Sequence, residues 1–193
     1  LSAPAVSGTW KSESGGWRFY NSAGAMQKGL FTIDGKKYYL GPDGIMKTGW
    51  QQIGNHYYYF GSDGSMRTGW LSAGSTWYYL HADGSMAYGL EEVEKLLYFF
   101  GASNDGAMKT GWYKVSDVYH YFGSSGAAVK GWQKIGGYWY YFDKMGVMLT
   151  GNQVLDGKSY YLGAANDGAM KTGWQIVGAI YESNKKIADK WGY

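Results

Sequence analysis

Trp50-Gln51-Gln52-Ile53-Gly54-Asn55-His56-Tyr57-Tyr58-Tyr59-Phe60 reads as two short β-prone runs joined by a Gly-Asn turn. A turn dipeptide of this kind between aromatic and β-branched runs is the strongest local signal for a hairpin with a primed turn. With the turn at positions 5 and 6, position 4 pairs with 7, 3 with 8, 2 with 9 and 1 with 10, and strand alternation puts positions 1, 8 and 10 on one face. Asp34-Gly35, Gly136-Gly137 and Asp156-Gly157 hold the same turn place in other segments. A second turn follows the aromatic run, at Asp43-Gly44, Asp63-Gly64, Asp83-Gly84, Asp105-Gly106 and Asp167-Gly168.

Outward from this segment, the pattern recurs with starts at residues 10, 30, 50, 70, 90, 112, 132, 152 and 174, in steps of 20 or 22 that leave no room for a linker. A lone hairpin is marginally stable in water, so each repeat must stack on a neighbour as solenoid repeats do. The fold expected is an all-β solenoid of about nine short β-hairpin repeats. Its boundaries are an N-terminal segment at 1–9, a repeat array at 10–181 and a degenerate C-terminal tail at 182–193.

The composition agrees: 10 Trp, 20 Tyr and 7 Phe stand beside 32 Gly and 2 Pro in 193 residues, which suits many turns around a thin aromatic core. A net charge of +3 without basic tracts argues against nucleic acid. The absence of cysteine excludes disulfides and thiolate metal sites. No apolar run approaches the roughly 20 residues of a membrane span, so membrane insertion is not expected. Leu1–Val6 carries neither Met nor a signal-like segment, which points to a processed protein or an excised piece.

Each repeat offers one turn carboxylate, too few for a calcium loop, and His56, His81 and His120 occupy different places in their repeats. Paired carboxylates, a Ser/His/Asp set and a phosphate-cradling glycine loop are missing. No metal, cofactor or catalytic residue is therefore expected, and the chain reads as a binding module and not an enzyme.

The shared face of positions 1, 8 and 10 carries Trp132, Trp139 and Tyr141 in the seventh repeat and Trp70, Trp77 and Tyr79 in the fourth. Core packing needs apolar bulk, which Leu or Val supplies, whereas indole and phenol planes without a carboxylate suit a quaternary ammonium. Such a cation donates no hydrogen bond and is weakly hydrated, so water competes little for the ring faces.

Trp132-Gln133-Lys134-Ile135-Gly136-Gly137-Tyr138-Trp139-Tyr140-Tyr141-Phe142, followed by Gly146-Val147-Met148-Leu149-Thr150-Gly151, resembles the choline-binding repeats of pneumococcal-type surface proteins and phage lysins. The resemblance covers residues 10 to 181 and implies a superhelix of roughly three hairpins per turn. It also implies choline held between consecutive repeats, by positions 1 and 8 of one repeat and position 10 of the next, under a Met. Carried onto this chain, it implies choline-binding sets Trp10, Trp17 and Tyr39; Trp50, Tyr57 and Tyr79; Trp70, Trp77 and Phe99; Trp112, Tyr119 and Tyr141; and Trp132, Trp139 and Tyr161. Met26, Met66, Met86 and Met148 take the lid position of their repeats, and Ala128 replaces Met in the sixth. A further pocket on Trp174 and Tyr181 would need an aromatic of the tail such as Trp191. The partner implied is choline or phosphocholine on teichoic or lipoteichoic acid at the bacterial cell surface, with phosphates meeting Lys47, Arg67, Lys109 and Lys171.

Repeats two, five and eight depart from the pattern, with Leu30 and Lys37, Leu90 and Leu97, and Asn152 and Ser159 at positions 1 and 8. Gly101–Trp112 and Gly163–Trp174 are nearly identical and lie 62 residues apart, a three-repeat period. Three hairpins per turn would align the exceptions as one stripe, expected to meet a second partner. Glucan- and glycan-binding repeats share the Gly-Lys-Lys-Tyr-Tyr pattern of Gly35–Tyr39 but not the aromatic at position 8. A third reading makes the array the targeting arm of a cell-wall hydrolase whose catalytic domain lies elsewhere.

Overall fold

The computed structural model describes residues 2–173 throughout and, for the last hairpin, the backbone of Gln175–Glu182 and Lys185–Gly192. Every regular element among the described residues is a β-strand, and all pair as two-stranded antiparallel hairpins. In chain order these are Gly8–Glu13 with Gly16–Asn21, Gly29–Ile33 with Lys36–Leu40, Gly49–Ile53 with His56–Phe60, and Gly69–Ala73 with Thr76–Leu80. Leu90–Val93 with Leu96–Phe99, Gly111–Val115 with Val118–Phe122, Gly131–Ile135 with Tyr138–Phe142, and Asn152–Leu155 with Lys158–Tyr161 continue the series. Gln175–Glu182 pairs with Lys185–Gly192, so a strand runs within the segment expected as a tail.

The register is the one the turn dictates. Trp50 faces Tyr59, Gln51 Tyr58, Gln52 Tyr57 and Ile53 His56, and the fourth and seventh hairpins repeat it. The tips need positive φ at both turn residues for a type I′ geometry, and Asp34-Gly35 (48° and 76°) and Gly136-Gly137 (57° and 90°) supply it. Glu94-Lys95 and Ser116-Asp117 adopt the same geometry without glycine. The second turns are closed by side-chain oxygens read as turn formers: Asp43 Oδ1 accepts from the Ile45 N–H at 3.0 Å and Asp83 Oδ1 from the Ser85 N–H at 2.9 Å. Asp143, two places earlier in its turn, does the same for the Met145 N–H at 2.8 Å.

The hairpins form two compact units, Leu1–Gly89 with Phe100–Met108 and Leu90–Phe99 with Lys109–Tyr193. Within each, successive hairpins meet by opposite faces. Positions 1, 8 and 10 look toward the following repeat; positions 9 and 11 look back to the preceding one. In the first unit Tyr39 stacks on Phe60 at 6.1 Å. In the second, Phe99 stacks on Phe122 at 6.0 Å and Trp112 meets Phe142 at 5.7 Å. Position 11 forms the dry thread of the core: Leu40, Phe60 and Leu80 in the first unit and Phe122, Phe142 and Leu162 in the second are 0% exposed. The interior is a chain of small clusters, such as Phe19, Ile33 and Leu40, then Leu30, Tyr58 and Phe60. At the start of the chain, residues 3–6 lie along the second hairpin: Val6 N–H donates to Thr32 O at 3.0 Å and Thr32 N–H to Pro4 O at 2.9 Å.

Among the described residues a backbone bond pins successive hairpins. The N–H of the Met at position 17, or its equivalent, donates to the position 8 carbonyl of the preceding repeat: Met46 to Trp17 (2.8 Å), Met66 to Lys37 (2.8 Å), Met86 to Tyr57 (2.9 Å), Met148 to Tyr119 (2.8 Å) and Met170 to Trp139 (2.7 Å). The same Met side chain lies over the second-turn glycine of the next repeat: a Cβ on Gly44 would sit 2.5 Å from the Met26 sulfur, and one on Gly64 would overlap Met46. Gly64 also has φ 77°, which an L side chain resists. Gly64→Ala is therefore expected to lower stability by roughly 1–3 kcal/mol, read as a drop in thermal midpoint.

Candidate functional site

The joints carry aromatic cages. In the first, Trp10 lies 5.0 Å from Tyr38 with planes at 66°, and Trp17, Met46, Ser62 and Asp63 complete a cavity of about 360 Å³. In the seventh, Trp132 lies 4.8 Å from Tyr160 at 63° and 6.4 Å from Trp139 at 84°, and with Met170 these residues line a cavity of about 310 Å³. The third and sixth joints repeat the geometry: Trp50 meets Tyr78 at 4.9 Å and 63°, and Trp112 meets Tyr140 at 4.9 Å and 66°, with Tyr119 6.5 Å from Trp112. Steeply inclined planes leave gaps that flat stacking would close.

The third wall is position 9 of the next repeat, not position 10. Tyr39, Tyr79, Phe99, Tyr141 and Tyr161, expected as walls, sit on the forward face of their own hairpins. Trp50 packs on its cross-strand partner Tyr59 at 5.2 Å, and Trp70 on Tyr79 and Trp132 on Tyr141 likewise at 5.3 and 5.2 Å. Alternation explains the difference: a residue that looks forward from its own hairpin cannot look back into the cage behind it. Phe99 packs on Tyr113 at 5.0 Å. Trp70 and Trp77 keep the cage geometry, 6.4 Å apart at 79°, with Met108 N–H on Trp77 O at 2.8 Å.

The methionines shift by one repeat for the same reason. Met86 belongs to the joint of Tyr57 and Met148 to that of Tyr119, whereas Met66 sits on the Lys37 joint and Met26 precedes every cage. Ala128 lies on Leu97 O at 2.8 Å, in the cage-less fifth joint, so the sixth cage keeps its Met. Sequence reasoning thus missed Tyr38, Tyr78, Tyr140 and Tyr160 and the lids Met46 and Met170. The signal was present in the recurrent Tyr at position 9. The pocket expected on Trp174, Tyr181 and Trp191 lies outside the residues whose side chains are described.

Exposure separates cage from core. Trp17 is 49% and Trp139 42% exposed, although leaving half an indole in water forgoes on the order of 2 kcal/mol of burial. At joints without a cage the position 9 side chain is buried instead: Tyr58 over Leu30 is 1% exposed, and His120 in the sixth repeat 3%. The first cage also holds a carboxylate that composition did not suggest. The Ser65 hydroxyl (2.8 and 2.9 Å) and N–H (3.1 Å), with Arg67 at 3.0 Å, hold Asp63 below the usual carboxylate range. Burial, then Asp63, pushes the Tyr38 phenol up, so a neutral ring faces an ionised carboxylate.

Lys47 and Lys171 pair with the turn carboxylates Asp43 and Asp167 four residues earlier, and Arg67 with Asp63; these cations brace turns. Among the described residues no group of three or more His, Cys, Asp or Glu side chains is placed to hold a metal ion. His81 lies edge-on to Tyr79 at 6.0 Å. His120 stacks on Phe122 at 5.9 Å, and burial holds its imidazole below the ordinary value against the opposing pull of the Gly146 backbone and the Asp143 carboxylate. An unfolded chain therefore takes up this proton first, and the stability present above about pH 6.5 is lost as pH falls below it. The thermal midpoint should fall more steeply from pH 7 to 5.5 in the native chain than in His120→Tyr.

A family model of the choline-binding repeat matches residues 47–89 and 129–174. A model of a cell wall binding repeat matches 28–46 and 110–128. Among solved structures, the chain is similar to CbpJ from Streptococcus pneumoniae TIGR4, with 30% identity over 89% of this chain and 61% of that one and a TM-score of 0.78. It is also similar to choline binding protein F of Streptococcus pneumoniae, solved with a peptidoglycan analogue, with 32% identity over 88% and 60% and a TM-score of 0.75. The modular autolysin LytC of the same organism shows 26% identity over 95% of this chain and 47% of its own, at a TM-score of 0.58. The chain spans about three fifths of the length of the first two structures. No match was found among curated proteins. The two repeat models together cover more than half of the residues, and the chain belongs to the choline-binding repeat family.

Proposed function

We propose that the array of residues 10–181 holds its protein on the bacterial cell surface by multivalent binding of choline headgroups on teichoic or lipoteichoic acid. The observation that carries this reading is the set of open cages, half-exposed indoles set against a tyrosine and a methionine of the next hairpin. A single cation–π contact contributes about 0.5–2 kcal/mol. Three walls, less the cost of immobilising the ligand, leave a net of about 4 kcal/mol, a dissociation constant near ~1 mM. One site is too weak to anchor a protein, but several sites on one chain facing a polymer gain roughly 10²–10⁴-fold by effective concentration. Similarity to choline binding protein F, CbpJ and LytC supports this assignment.

Retention on a tertiary-amine resin tests it. Free choline should elute the chain at a concentration where sodium chloride of equal ionic strength does not; equal elution by both would reduce the interaction to ion exchange. Similarity to the modular autolysin LytC favours a second reading, in which the array is the targeting arm of a cell-wall hydrolase. Soluble fragments released by this chain from purified cell walls would show catalysis within it, and none is expected. A glycan-binding role is disfavoured by Trp17, Tyr57, Trp77, Tyr119 and Trp139 at position 8. The stripe of repeats two, five and eight is unlike itself, cationic at Lys37, apolar at Leu97 and polar at Ser159. A second partner there would meet different chemistry at each step.

A further inference from the structure

The second joint has the backbone of a cage and the side chains of something else. Met66 N–H donates to Lys37 O at 2.8 Å, the bond that pins every cage, yet Lys37 replaces the position 8 aromatic and Leu30 the position 1 indole. Leu30 and buried Tyr58 pack together with Phe60 in the core. At the same joint lies a cavity of about 340 Å³ lined by Lys36 and Lys37 from one hairpin and Met66, Arg67 and Thr68 from the next repeat. Three cations converge on it against one nearby carboxylate, Asp63, which lies 3.0 Å from Arg67 and 3.9 Å from Lys36. No carboxylate of the described residues pairs with Lys37.

We propose that this cavity is an anion site and that the anion it takes is a phosphate group, esterified or free. Arg67 donates one N–H to Asp63 Oδ1 at 3.0 Å and keeps further N–H groups, a fork that suits phosphate oxygens. Asp63 is shared between Arg67 and, loosely, Lys36, which leaves Lys37 without a carboxylate; the two lysines are point charges that suit a tetrahedral anion, with the Thr68 hydroxyl as a further donor. The fifth joint does not repeat the site: it carries Leu96, Leu97 and Val129 where the second carries Lys36, Lys37 and Arg67. Asp63 also lines the first cage, so the onium cavity and the anion cavity meet at this carboxylate. The assignment uses no cage aromatic and stands apart from the choline reading.

Backbone amide shifts of the ¹⁵N-labelled chain, titrated at constant ionic strength with glycerol 3-phosphate, inorganic phosphate or sulfate, test the site. Glycerol 3-phosphate should give saturable shifts confined to residues 35–37 and 65–68. Lys36→Gln with Lys37→Gln should weaken that binding about fivefold or more. Choline should still shift the Trp17 and Trp139 indole N–H signals of the double variant as in the native chain, which shows that the variant is folded. Equal shifts around Lys47 and Lys171, or an unchanged response in the double variant, would overturn the site. Sulfate binding as tightly as both phosphates would overturn the ligand assignment, and the two phosphate arms distinguish an ester from the free anion.

Discussion

Trp139→Ala should weaken choline binding at the seventh joint about tenfold and leave the hairpin folded. Trp139 is 42% exposed and its ring touches Trp132 edge-on at 6.4 Å, so little burial is lost with it. What disappears is one ring face of the cavity it shares with Trp132, Tyr160 and Met170, worth about 0.5–2 kcal/mol of cation attraction. Because attachment multiplies weak sites, the triple variant Trp17→Ala, Trp77→Ala, Trp139→Ala should fail to be retained on a choline-mimicking resin even though its melting curve stays cooperative. Calorimetric titration of the single variant and chromatography of the triple variant check both statements. Retention of the triple variant at native strength would show that the position 8 aromatics are not the binding walls.

Phe142→Ala should do the reverse. Phe142 is 0% exposed and lies 5.7 Å from Trp112 of the preceding hairpin, on the back face where repeats lock together. Truncating a fully buried phenylalanine costs about 3–5 kcal/mol, a large part of the stability of a chain this size. In a stacked repeat each hairpin is held mainly by its neighbours, so the loss should appear first as local opening around residues 111–148, detected as faster amide exchange there than in the first compact unit. It should also take the sixth cage with it, since Trp112 packs on Phe142 and on the cage wall Tyr140 at once. Uniform exchange across the chain would contradict this segmented picture.

The contrast between these two residues shows how much of the molecule was legible in the sequence. The hairpins, their turns and the register came directly from the Gly-Asn and Asp-Gly dipeptides, because a two-residue turn fixes pairing and pairing fixes faces. That the position 8 indoles stay half in water followed from their being indoles where Leu would suffice. The expected composition of each cage was off by one residue and one repeat. A hairpin in a stack has two working faces, and the step from one to the next passes through the sheet, so the wall facing Trp10 is Tyr38 and not Tyr39. Alternation already contained that answer; the resemblance to a family pattern was applied one position out. Glu94-Lys95 and Ser116-Asp117 show another limit, since stacking imposes on them a turn their side chains do not announce. Asp63 at the mouth of the first cage comes from a repeat two further on, and spacing within one repeat does not foresee it.

The central claim is that these cavities recognise positive charge through ring faces and not merely a greasy shape. Choline and its neutral isostere 3,3-dimethylbutan-1-ol have nearly the same outline and differ in the charge at one atom. Titrated into the native chain while tryptophan fluorescence is followed, choline should bind at about millimolar concentration and the alcohol at least about tenfold more weakly. Equal affinity for the two, or saturation by neither, would contradict the account.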